Sequence, residues 1–172
     1  MKKNISLILG IILVFIILGI WVLSFVRMPY NPNEMNISNR FLGPGLDRDH
    51  VLGTDNFGRD ILSRIMYGSR NVLLVALVSV TLGSLVGIFL GALAAILKGP
   101  VEKIIMRIMD GLMAFPGILL AMMLVAVLER GIKGSIAAIS IFMVPVFSRL
   151  VYSMILDTEN LLYIKAAKSY GS

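Results

Sequence analysis

From Ile5 to Val26 the chain carries no charged residue. A bilayer core about 30 Å thick is crossed by about 20 apolar residues in a helix. Lys2 and Lys3 precede this run, as they would a signal peptide. A signal core is shorter, about 7–15 residues, and ends at small residues. Here the run ends Trp21-Val-Leu-Ser-Phe-Val-Arg27 without an A-x-A pattern, so it reads as a retained anchor. Three further apolar stretches follow: Asn71 to Leu97, a third from Ile108 or Leu112 to Leu128, and Ser135 to Leu156. In lipid an unpaired backbone polar group finds no water, which leaves helices and closed barrels. Runs of this length predict helices, hence an all-α polytopic membrane protein with about four spans. Composition agrees, with 58% hydrophobic and 15% charged residues, against about half and a quarter in soluble domains.

The intervening segments are short except one. From Arg27 to Arg70 the chain is polar, with Pro29, Pro32 and Pro44 in an extended first half. In the second half Phe57, Ile61, Ile65 and Met66 recur at helical spacing opposite Arg59, Asp60, Ser63 and Arg64. That pattern predicts a short amphipathic helix capped by Thr54 or Asp55. It would lie at the membrane surface or pack on the protein's own spans. Lys98 to Lys103 reads as a turn, and an amphipathic stretch runs on through Arg107 and Asp110. Pro116, within Ala114-Phe-Pro-Gly117, lacks a backbone donor and should kink or start a helix. Glu129 to Gly134 is a tight polar turn, and the segment from Asp157 is polar and helical in pattern.

Within the second span Gly83, Gly87 and Gly91 recur every fourth residue on one helix face. Such a stripe lets a second backbone approach closely, inside the subunit or at an intersubunit or moving interface. Alternation of spans puts the N-terminus inside, with Lys98, Lys103, Arg107, Lys165 and Lys168 on the same side. Residues 27–70, with Arg130 and Lys133, then lie outside. The net charge of +6 is scattered over short loops, an orientation signal and not a nucleic-acid footprint.

Four collinear stretches carry a resemblance. They are His50-Val-Leu-Gly-Thr-Asp-Asn-Phe-Gly-Arg-Asp60 with its continuation to Arg70, Met109-Asp-Gly-Leu-Met-Ala-Phe-Pro116, Ser148-Arg-Leu-Val151 and Lys165-Ala-Ala-Lys-Ser-Tyr-Gly171. Together they resemble the C-type inner-membrane subunit of peptide/nickel ABC importers, the dipeptide and oligopeptide permease class, over about residues 50–172. The last stretch is similar to the E-A-A-x-x-x-G loop that such permeases present to their ATPase, with Lys165 where the family usually has Glu. The resemblance implies a type I importer transmembrane domain of six spans, so this chain reads as truncated within the loop. It implies a second permease subunit, two cytosolic ATPase subunits, an extracellular or periplasmic solute-binding protein and surrounding lipid as partners, in a bacterial cytoplasmic membrane. Lys165, Ala166, Ala167, Lys168 and Gly171 would form the docking loop. Residues 1–26 would be the cytosolic tip and anchor, 27–70 the extracellular loop, and 71–172 the first part of the transmembrane domain. A truncated, non-transporting remnant or assembly protein is the alternative reading.

Other candidates are weaker. Arg149 sits within an apolar run, where a charge is a functional candidate. It is also only about 10 Å of helix rise from the span end, within snorkelling reach. Both readings stand, path-lining and snorkelling. Asp110, near a span start, would favour the helix dipole. His50 is the only histidine, short of the three or four ligands a metal site takes, and reads as structural. There is no cysteine, no H-E-x-x-H, no G-x-S-x-G and no Walker A sequence. The expectation is therefore no catalytic residue, no cofactor, no metal and no nucleic-acid partner, with ATP hydrolysis left to separate chains.

Overall fold

A computed structural model of the chain describes residues 5–45, 49–128, 131–162 and 164. Five α-helices follow one another: α1 (Ile5–Val26), α2 (Ile61–Leu97), α3 (Gly99–Met113), α4 (Gly117–Val127) and α5 (Ile132–Glu159). A 3-10 turn at Ile37–Asn39 and one isolated bridge, Thr54 with Asp60, are the other regular features among the described residues. The chain divides into two compact units, residues 1–74 and 75–172.

Among the described residues three helices are long and apolar enough to cross a membrane: α1, α2 and α5. The expected third span takes a different form. Its start belongs to α3, a helix with Pro100 in its first turn, and Pro116 then separates α3 from α4. The 11 residues of α4 rise about 16 Å, well short of a bilayer core of about 30 Å.

In the first unit the expected cap is also displaced. Asp55 does not start a helix; its carboxylate accepts from the Phe57 and Arg59 amides at 2.8 and 3.0 Å and closes a turn. Gly58, at φ +71°, passes against the Asn36 carbonyl, where no Cβ fits. Helix geometry cannot run through that position. It begins after Asp60, whose second carboxylate oxygen accepts from the Ser63 amide at 2.7 Å. The amphipathic residues Ile61, Ile65 and Met66 are thus the first turns of the 37-residue α2. At the end of α1, Ser24 is its buried residue, and the Arg70 guanidinium donates to the Ser24 hydroxyl at 2.9 Å while lying over the Phe25 ring.

The second unit inverts the burial pattern of a soluble protein. Most of its buried side chains are small: Ser79, Ala94, Ala95, Ala138, Pro145 and Ser148 are all sealed off, with Met109 and Leu120 the larger exceptions. Leu85 and Phe89 on α2 are instead 61% and 65% exposed. Between helices in lipid there is no hydrophobic gain to collect, so small residues that admit close approach take the interior.

Candidate functional site

The glycine stripe of α2 faces α5. A Cβ on Gly83 would stand 2.5 Å from that of Met143, and one on Gly87 would stand 2.6 Å from the Val144 carbonyl oxygen. At Gly91 it would run into the carbonyl of Ser148. One turn before the stripe, the Ser79 hydroxyl donates to the Ile136 carbonyl at 3.3 Å. Pro145, buried in α5, gives up one helical hydrogen bond. Ser148 brings a buried hydroxyl with no hydrogen-bond partner among the described residues. On the other side of α5, the Phe142 ring fills the space that a Cβ on Gly117 would need, which seats the start of α4.

Against α5 also lies α3, joined to it by three polar links. Arg149 donates from Nη2 to Asp110 Oδ1. The Tyr152 hydroxyl donates to Glu102 Oε1. Near the helix ends Lys98 Nζ donates to Glu159 Oε2 at 2.6 Å. Glu102 has a second duty, its other oxygen accepting from the Gly99 amide at 3.1 Å at the exposed start of α3. A groove of about 700 Å³ opens between the helices, with Glu102, Lys103, Asp110 and Arg149 at its polar edge and Met106 and Leu150 in its wall.

These positions alter one expectation. Asp110 falls in the last turns of α3 (Gly99–Met113), where the helix dipole disfavours a carboxylate. It is the Arg149 guanidinium that compensates it, and Arg149 in turn is paired. Sequence spacing could not show this: the two residues are 39 apart and meet only because α3 and α5 pack together. The one available signal was a lone acid and a lone base, each flanked by apolar residues.

In the first unit His50 is buried, its Nδ1 donating to Asp60 Oδ1 at 3.0 Å and its ring lying 4.7 Å from that of Tyr30. Burial pushes the Asp60 carboxyl up, but the Ser63 amide and hydroxyl and then His50 outweigh it and hold the group below its ordinary value. Asp55 likewise feels desolvation upward, overcome by the Arg59 and Phe57 amides and the Arg59 guanidinium, and is lowered to about 2. Arg64 adds a second guanidinium at 2.7 Å. No group of three potential metal ligands occurs among the described residues. This cluster ties a loop together. The docking-loop residues Lys165, Ala166, Ala167, Lys168 and Gly171 lie outside the described residues.

Residues 83–172 match the family described as the binding-protein-dependent transport system inner membrane component. Along the whole chain, a dipeptide transport system permease protein of Alkalihalophilus pseudofirmus is 39% identical, over 99% of this chain and 56% of its own length. A glutathione transport system permease protein of Pectobacterium atrosepticum is 38% identical, over 100% of this chain and 56% of its own. Its counterpart in Shigella flexneri is 46% identical over 92% and 52%. The chain thus spans about half the length of the curated relatives it matches.

Proposed function

Since the chain belongs to the binding-protein-dependent transport system inner membrane component family, we propose that it serves as a transmembrane permease subunit of an ATP-driven importer for short peptides. The observation that carries this is the 39% identity to a dipeptide permease over 99% of the chain. A second relative acts on glutathione, itself a peptide, which favours peptides over nickel. A permease of this kind does no covalent chemistry. It offers a path and alternates its access as helices rock against one another.

Three parts of the chain support the reading. The close backbone contact along Gly83, Gly87 and Gly91 joins α2 and α5 with little side-chain interdigitation to undo. From α5 the chain runs on toward Lys165-Ala-Ala-Lys-Ser-Tyr-Gly171, the proposed seat for a cytosolic ATPase subunit. Small Ala166 and Ala167 suit a short helix in another protein's groove. Residues 27–70 form the proposed extracellular face, open to a solute-binding protein, with the N-terminus cytosolic. Two ATPase subunits and a second permease subunit complete the assembly in the bacterial cytoplasmic membrane.

Vesicles holding the assembled importer should take up dipeptide only with ATP. Gly171→Pro or Lys168→Glu should cut uptake and ATPase co-purification while membrane insertion stays normal. Undiminished uptake and co-purification in both variants would remove the docking assignment. A cysteine replacing Asn39 should react with an impermeant reagent added outside intact cells; reaction only after permeabilisation reverses the orientation.

A further inference from the structure

We infer that the groove between α3 and α5 is a binding site for a zwitterionic short peptide, whose carboxylate takes Arg149 and whose ammonium takes Asp110. The inference rests on the permease reading and names where in this chain the cargo is held. Three observations lead to it. The groove's charged residues balance, Glu102 and Asp110 against Lys103 and Arg149, with Met106 and Leu150 beside them. A balanced lining suits a neutral ligand with separated ends; an anion or a metal cation would leave one sign uncompensated. The groove is broad and open, with about 700 Å³ of accessible space, room enough for a dipeptide. Finally, the Asp110–Arg149 pair is open, with the two side chains 56% and 46% exposed.

That openness decides how the exchange works. Neither side chain is enclosed by the rest of the chain, so a ligand entering the groove can reach both charges. A zwitterion replaces one internal pair by two cross pairs, so no net charge is added or removed at the helix boundary. Two extended residues span about 7 Å, enough to separate the ammonium from the carboxylate along the groove. The neighbouring Tyr152–Glu102 link stays intact and keeps α3 on α5 while the ligand occupies the site.

The test pairs changes in ligand with changes in protein. The full chain in lipid nanodiscs is titrated calorimetrically with alanyl-leucine, its N-acetyl form and its C-terminal amide. Acetylation should weaken binding roughly tenfold, as expected for losing one charged hydrogen bond, and Asp110→Asn should abolish that difference. Amidation should weaken binding similarly, a difference abolished by Arg149→Gln. If both variants lose affinity for all three ligands by one common factor, the pair only braces the helices and the assignment falls. Should a variant fail to insert, the unaltered chain still decides, because equal affinity for the free dipeptide and its two blocked forms, or no saturable binding, overturns it. In the assembled importer a thiol placed by Ser153→Cys, at a residue lining the groove, should be open to a soluble reagent and shielded by dipeptide. Shielding without dipeptide means that another helix fills the groove, and again the assignment falls. An importer that still drives uptake in that case keeps the permease reading and loses only this site.

Discussion

In the 27–60 loop, order comes from polar side chains that take the place of water; between α2 and α5 it comes from side chains that are missing. Thr54 accepts from the Leu42 amide at 3.0 Å and donates to the Asn39 carbonyl. The Ser63 hydroxyl accepts from the Tyr30 amide at 3.0 Å. Each such bond satisfies a backbone group that the folded loop would otherwise leave bare. Along Gly83, Gly87 and Gly91, the α2 backbone meets the α5 backbone and the Cβ atoms of Met143 and Phe147 at close range. The loop is therefore sensitive to its hydrogen-bonding groups, and the helix pair to added volume.

The largest effect should come from adding that volume. Gly91→Leu drives a side chain into the Ser148 backbone and should cost about 3 kcal/mol, the upper range for overpacking. Reversible unfolding in mixed detergent micelles measures it. Gly10→Leu on α1, where nothing lies within 4 Å of a Cβ, should leave the midpoint unchanged. Equal losses in the two variants would mean that α2 and α5 are not joined along this face. Next comes Gly58→Ala in the loop, which combines φ +71° with contact against Asn36. A strained backbone position costs about 1–3 kcal/mol, to be seen as faster amide exchange at position 58 and at Asn39. Unaltered exchange would break the account of the loop as a knot closed by glycine.

How much of this was legible in the sequence follows the same division. The spans of α1 and of α2 from Asn71 on are set by uninterrupted apolar length, and that of α5 by a run broken only by Pro145 and Arg149, signals local to each segment. The glycine stripe showed its face of α2, but not that α5 would be its partner. Pro116 announced a break, yet only the fold shows that α3 and α4 become separate short helices. The loop was least readable. Thr54 and Asp55 are good cap residues by type, but the Asn36 carbonyl, distant in sequence, forces Gly58 out of helical geometry and moves the start to Ile61. For the same reason the Asp110–Arg149 pair was hidden, since a dipole argument depends on which end of a helix a residue occupies.

A smaller effect tests the loop's charges. Asp55 titrates near 2 in the folded loop against 3.8 ordinarily. With the folded value depressed, ionised Asp55 supports the fold above about pH 4, and that support is lost as pH falls through about 2. Carbon NMR of the Asp55 carboxyl should give a midpoint near 2, and Arg59→Gln should raise it. A midpoint near 4 in the unaltered chain would show that the turn does not hold its carboxylate.

The smallest effect should come from removing a polar group where the helices touch. The Ser148 hydroxyl is fully buried beside Gly87 and Gly91 and has no hydrogen-bond partner among the described residues. An unpaired buried hydroxyl carries its desolvation cost without return, so deleting it can be neutral or stabilising. Ser148→Ala keeps the small volume that the α2 backbone requires. It should therefore change unfolding by less than about 1 kcal/mol, in the stabilising direction. Where the loop meets the first turn of α2, the same change at Ser63 removes the acceptor for Tyr30 and should destabilise by about 1 kcal/mol. Opposite signs for one substitution in the two regions follow directly from hydrogen bonds holding one and close approach holding the other. A destabilised Ser148→Ala would place a bonding partner for that hydroxyl on α2 or α5 and erase the contrast.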